Sequence, residues 1–210
     1  ELGVKWNEIL KALNYKIDDV VAALCSHLHL DHAKSIPQAL KYRIPVYSNE
    51  EVADKYNGVI ALQTNKKYRV GEFIIQAIKV EHSAENYAFI IDTPDDVRVL
   101  FCTDAVRFPY KVRAVNVMMI EANYSEDIII DNLCNGYDIR SKNQYHMEIN
   151  DTLECIRNNF SPGLNTICLL HLSDGQSDEE AFKKQVYDDF GIIPYVAEKG
   201  LTIELNKEEF

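Results

Sequence analysis

Six histidines occur in this chain, and three of them fall in one short run, His27-Leu28-His29-Leu30-Asp31-His32. Imidazole and carboxylate together suit zinc and other borderline divalent ions. In an extended segment, residues two apart point the same way, so His27 and His29 can face one ion. Asp31 and His32 come where the chain turns into a helix and can face a second ion. Two ions about 3.5–4 Å apart need a bridging ligand and can share a water-derived oxygen. A carboxylate at a strand end is a natural bridge, and Asp104, just after a predicted strand, is the best candidate. His82, His146 and His171 are the other three histidines, each after a predicted strand or before a predicted helix. Alone, each reads as an ordinary surface or core histidine. Beside a run still short of ligands, they complete the set, on the strand-end loops where scaffolds present functional groups.

The elements that must position these residues follow from periodicity and turn signals. Helices are expected over residues 4–13, 33–42, 50–56, 125–134, 148–158 and 177–190. The last of these carries Asp178, Glu179 and Glu180 in its first turn, where the helix dipole favours acids. Strands are expected over residues 20–24, 45–47, 67–70, 73–80, 87–92, 97–102, 115–120 and 166–170, with closing strands at 195–197 and 201–205. Gly71 and the run Thr93-Pro94-Asp95-Asp96 mark turns between strands. Strands cluster first and then alternate with helices, so the fold class is α/β (α+β). Two mixed sheets covered by helices, in four αββα layers, suit this order.

Composition bounds the function. A chain of 210 residues, 47% hydrophobic, has the size of one globular domain, taken as 1–210. Neither a signal-peptide pattern nor a membrane-length apolar run is present, so no membrane partner is expected. A net charge of −11 argues against a non-specific nucleic-acid coat. Two divalent ions would add about four positive charges in one place, so a phosphate substrate at the site stays compatible. Five cysteines, none in a C-x-x-C pair, read as buried free thiols in a reducing compartment, the cytoplasm. The sequence leaves a homodimer open.

The His27–His32 run resembles the signature of the metallo-β-lactamase superfamily. Later segments resemble its ribonuclease Z, YycJ-type and related phosphodiesterase branch, which includes phage-encoded members: Glu81-His82-Ser83, Phe101-Cys102-Thr103-Asp104, Ile120-Glu121-Ala122-Asn123-Tyr124, His146-Met147-Glu148 and Leu170-His171-Leu172. The resemblance implies the four-layer metallo-β-lactamase fold and two metal ions. The first ion is held by His27, His29, His82 and Asp104, the second by Asp31, His32, Asp104 and His171. Zinc is the default, with manganese or iron as alternatives. His146 matches a histidine that contacts the reacting phosphate, and Glu121 matches a glutamate that orients it. The chain departs from the family pattern in three ways. Only 26 residues precede His27, so early strands of the first sheet are short or missing, and Glu1-Leu2-Gly3 reads as the remnant of a turn after one. Thr103-Asp104-Ala105 lacks the family's glycine-bearing turn. No inserted nucleic-acid-clamping domain is present, which disfavours long structured RNA as substrate.

The expected reaction is hydrolysis of a phosphodiester by metal-activated water, on nucleic-acid ends or small nucleotides, cyclic ones included. Asp31 would bind metal and accept the nucleophile's proton. His146 would stabilise developing charge or protonate the leaving oxygen. Arg107, Tyr110, Lys111 and Arg113 follow Asp104, and Arg140 and Lys142 precede His146. These groups could hold a phosphate and stack a base, or they could be solvated side chains paired with neighbouring acids. A metal-dependent hydrolase of a thioester, lactone or lactam is the second reading, and a non-catalytic metal-binding protein the third.

Overall fold

The computed structural model describes residues 1–136 and 143–205. The element order is α1 (Trp6–Ala12), β1 (Ala23–Leu24), α2 (Leu30–Ala33), α3 (Ile36–Lys41), β2 (Val46–Ser48), α4 (Glu50–Lys55), β3 (Ile60–Ala61), β4 (Lys67–Val70), β5 (Phe73–Val80), β6 (Asn86–Asp92), β7 (Arg98–Cys102), β8 (Val117–Glu121), α5 (Glu126–Cys134), α6 (Ile149–Asn159), β9 (Thr166–Leu170), α7 (Glu179–Phe190) and β10 (Tyr195–Val196). The larger sheet runs β10-β9-β8-β7-β6-β5-β4, antiparallel from β4 to β7 and parallel from β7 to β10. The smaller sheet, β1-β2-β3, is parallel throughout where a mixed sheet was expected.

Alternation along the strands separates the layers, because successive strand side chains point to opposite faces. Val46 of β2 packs with Ile36 and Ala39 of α3 and Val52 of α4 on the outside of the smaller sheet. Its neighbour Tyr47 turns the other way and meets Ile75, Ala77 and Phe89 of β5 and β6, which closes the two sheets face to face. From the opposite face of the larger sheet, Leu100, Met118, Ile120, Ile167 and Leu169 pack against Leu153 and Ile156 of α6 and Phe182 and Val186 of α7. Three apolar interfaces stacked in this way make four αββα layers.

Some expected boundaries move. The strand expected over 20–24 contracts to Ala23–Leu24, and the helix expected over 33–42 starts at Ile36 as α3, parted at Ser35 from the short α2 that forms on the histidine run. Ser35 is held there by its N–H to the Leu2 carbonyl at 2.7 Å and its hydroxyl to the Val4 carbonyl. The strand expected over 201–205 does not form. Its alternating Leu201, Ile203 and Leu205 carry the right period, but these residues pair with no strand among the described residues. The short β3 had no signal in a two-residue stretch. No helix among the described residues is long and apolar enough to cross a membrane.

Candidate metal centre

Every element that carries a candidate ligand presents it at the same end of the sheets. β1 leads into the His27–His32 run, β5 into His82, β7 into Asp104, β8 ends on Glu121, and β9 leads into His171. His146 joins them because Asn123 donates its N–H to the Met147 carbonyl and Tyr124 bridges to Glu148, which ties the start of α6 to the end of β8.

The histidines form a first cluster. Nδ1 of His29 lies 2.9 Å from Nε2 of His27 and 3.3 Å from Nε2 of His82. The tautomer of His82 is settled by its partner: its Nδ1 lies 3.0 Å from the Tyr145 carbonyl, which can only accept, so Nδ1 carries the hydrogen and Nε2 offers a lone pair. Nδ1 of His27 lies 3.0 Å from the Ser26 hydroxyl, leaving its Nε2 to face the cluster. Burial first, then the neighbouring His32, press the His27 imidazole down to about 3, so the ring is uncharged at neutral pH. Three ring nitrogens converging in this way are the donor set of a borderline divalent cation.

Asp104 stands between this cluster and a second. Its Oδ2 lies 2.9 Å from His32 Nε2, and its Oδ1 lies 3.2 Å from His171 Nδ1 and 3.4 Å from His146 Nδ1. Burial would raise its pKa, but the His32 hydrogen bond and the surrounding imidazoles outweigh that and hold the carboxyl well below the usual range. His32 responds in kind. Burial opposes its charge, yet Asp104, then Glu1, lift it to about 10. The buried Glu121 completes the second cluster: Oε1 accepts from His146 Nδ1 at 2.7 Å and from His171 Nδ1 at 3.0 Å, and Oε2 accepts the Ala105 N–H at 2.7 Å. That contact to Glu121 is the main reason His171 titrates above its ordinary range.

Three donor sets thus approach closely enough to hold an ion: His27–His29–His82, His27–His32–Asp104, and Asp104–Glu121–His146–His171. His27 and Asp104 each belong to two of these sets, so the sets join into one cradle. Asp31 stands apart. Its side chain is 69% exposed, its Oδ2 is 3.8 Å from His32 Nε2, and it belongs to none of the three sets. Asp104 and His171 both sit in left-handed backbone, φ 51° and 58°, where non-glycine residues are rare. The turn that lacks a glycine is therefore made by the ligand-bearing residue itself, and strain of this kind gathers at functional sites.

Two residues that the sequence reading passed over hold the loops. Asn49 caps α4 through Val52 and also donates to the Ser26 carbonyl at 3.1 Å and to the Glu85 carbonyl, so one buried amide joins the His27 and His82 loops. Asn86 donates from Nδ2 to the carbonyls of Thr103 and Asp104. An asparagine before Glu50-Glu51 signals a helix cap, but nothing local signals these distant partners.

The substrate candidates lie outside the cradle. The Arg107 guanidinium is 3.9 Å from Glu81, the Tyr110 hydroxyl donates to the Lys79 carbonyl at 3.2 Å, and Lys111 and Arg113 are exposed. Arg140 and Lys142 lie outside the described residues.

Comparison with known proteins agrees with this geometry. YycJ of Bacillus anthracis, an exodeoxyribonuclease by name, is 24% identical over 141 residues, 60% of this chain and 53% of that protein. WalJ of Streptococcus pneumoniae, likewise named an exodeoxyribonuclease, is 27% identical over 143 residues, again 60% and 53%. The match therefore spans about half the length of these curated relatives. Among solved structures, the metallo-β-lactamase-fold protein YhfI of Bacillus subtilis superposes with a TM-score of 0.68 at 19% identity, over 92% of this chain and 81% of that one. Residues 8–159 match the family described as the beta-lactamase superfamily domain, and the chain belongs to that superfamily, as a metallo-β-lactamase-fold hydrolase.

Proposed function

We propose that this chain is a dinuclear metal-dependent phosphodiesterase that cleaves nucleic-acid ends or small nucleotides. The observation that carries the reading is the His146–Glu121 pair beside the cradle. His146 commits Nδ1 to Glu121 at 2.7 Å, so Nε2 is the atom through which a protonated ring would pass its proton. An imidazole with one nitrogen fixed by a carboxylate is the arrangement a general acid needs to protonate a leaving oxygen. The names of the YycJ and WalJ relatives, both exodeoxyribonucleases, support the same bond type.

Divalent ions, when bound, polarise a phosphoryl oxygen and acidify water. Zinc is the ion we expect in the imidazole-rich first set, and the carboxylate-containing second set also suits manganese or iron. The chain's own groups do the rest. Asp104 and His27 link the donor sets, Glu121 fixes the rings of His146 and His171, and Asp31, exposed at the rim, is open to take a proton from attacking water. The free, mostly buried cysteines are consistent with a reducing compartment, and we place the protein in the cytoplasm.

The test is a substrate comparison on metal-reconstituted protein. Hydrolysis of bis(p-nitrophenyl) phosphate, abolished by EDTA and restored by metal, without cleavage of a thioester, lactone or lactam, is the expected result. The reverse preference would move the reading to another ester class.

A further inference from the structure

The outer face of the larger sheet is not covered evenly. α6 and α7 pack over its middle, whereas the stretch over β4, β5 and β6 is bordered by the loop that follows Asp104, residues 105–113. Between that loop and β4 lies a groove of about 320 Å³ floored by Ile74, Ile78 and Ile90. Four cations, Lys67, Arg98, Lys111 and Arg113, line it with one carboxylate, Asp92. Arg98 and Asp92 satisfy each other through a 2.6 Å ion pair. Lys67 on one bank and Lys111 and Arg113 on the other are exposed, and none has an ion-pair partner among the described residues. An excess of positive charge here contrasts with a chain whose net charge is −11. Tyr110 also lines the groove, 45% exposed and pinned through its hydroxyl to the Lys79 carbonyl.

The loop that banks the groove starts beside the cradle. The loop begins at the residue after Asp104, and Val106 donates its N–H to the carbonyl of Glu81, next to His82, at 3.0 Å. Ile78 and Ile74 lie four and eight residues before His82 on β5, roughly 13 and 26 Å at about 3.3 Å per residue. At a stacked spacing of about 3.4 Å, that reach corresponds to about four to eight nucleotides.

We infer that this groove binds the flank of a single-stranded nucleic acid whose end lies in the cradle, with Lys67, Lys111 and Arg113 on its phosphates and Tyr110 stacking a base. The inference rests on the phosphodiesterase reading and adds a substrate class: oligonucleotides several residues long, beyond mononucleotides. Cations along a groove with an aromatic platform are how sequence-tolerant single-strand sites are built.

The test measures binding of a fluorescein-labelled, phosphorothioate-linked single-stranded DNA 12-mer, which resists cleavage, to the metal-loaded chain by anisotropy across a salt series. Each neutralised phosphate contributes a slope of about −0.7 in log affinity against log salt on single strands, so three contacts contribute about −2. The triple variant Lys67→Ala, Lys111→Ala, Arg113→Ala should lose that much slope and bind at least about tenfold more weakly at moderate salt. A charge-conserving triple variant, Lys67→Arg, Lys111→Arg, Arg113→Lys, should retain both. Equal affinity and slope in wild type and the alanine variant would overturn the inference. So would equal competition by a poly-glutamate peptide, which would point to an acidic protein segment instead. Turnover of bis(p-nitrophenyl) phosphate is measured separately on wild type. Turnover without groove-dependent 12-mer binding overturns the groove alone, and groove-dependent binding without turnover supports the groove while removing the phosphodiesterase reading.

Discussion

The carboxylate of Glu121 accepts a hydrogen bond from Nδ1 of His146 at 2.7 Å from a fully buried position at the end of β8. The bond fixes which nitrogen of His146 faces the cradle, and the same oxygen holds His171. One carboxylate thus orients one ring proposed for proton transfer and another placed to hold metal.

His146→Ala should leave the metal content close to that of wild type and lower kcat by about two to four orders of magnitude. Plasma mass spectrometry and steady-state turnover check it together. Unchanged turnover would remove His146 from the reaction.

Glu121→Gln should lower kcat or metal affinity about 10- to 100-fold, the usual effect of losing a partner behind a ligand or catalytic ring. Steady-state kinetics and metal content check it together, and wild-type values for both would contradict the role given to Glu121.

Gly3→Ala should disturb the cradle from a distance. Leu2 pairs with the backbone on both sides of the helix junction, donating to the His32 carbonyl at 2.9 Å and accepting from Ser35. This brings Gly3 so close to the backbone of Asp31 and His32 that a β-carbon would overlap their atoms. The variant should be less stable by about 1–3 kcal/mol, as overpacking commonly costs, and should bind less metal. Wild-type melting and metal content would contradict the close approach.

The metal-stripped protein should be most stable near pH 6.5. His27, depressed to about 3 by burial and by His32, contributes stability that is complete above its ordinary value of 6.5 and is lost as pH falls toward 3. His32 is raised to about 10, where Asp104 and Glu1 outweigh its burial. Its contribution is complete below 6.5 and is lost as pH rises through 10. Chemical denaturation across pH in EDTA checks this, and a stability curve with no fall on either side would contradict the environments assigned to both rings.

The site was legible where chemistry was concentrated in sequence. The run from His27 to His32 announces metal by itself, and the strand-end positions of His82, Asp104 and His171 follow from the β-branched and apolar runs of β5, β7 and β9. Asp31 is less legible: spacing and the resemblance put it forward as a ligand, and the structure places its exposed carboxylate 3.8 Å from His32 Nε2. Asn49 and Asn86 were illegible because their work lies in bonds to chain 17 to 36 residues away. The same reason defeated the strand expected over 201–205: alternation records a face, whereas a strand also needs a neighbour.

The most direct test of a two-ion cradle centred on Asp104 is metal stoichiometry by plasma mass spectrometry on reconstituted wild type and Asp104→Asn. We predict about two divalent ions per chain in wild type and one or none in Asp104→Asn, because a bridging carboxylate serves both ions. Fewer than one ion in wild type, or two ions retained without the Asp104 carboxylate, would contradict the account.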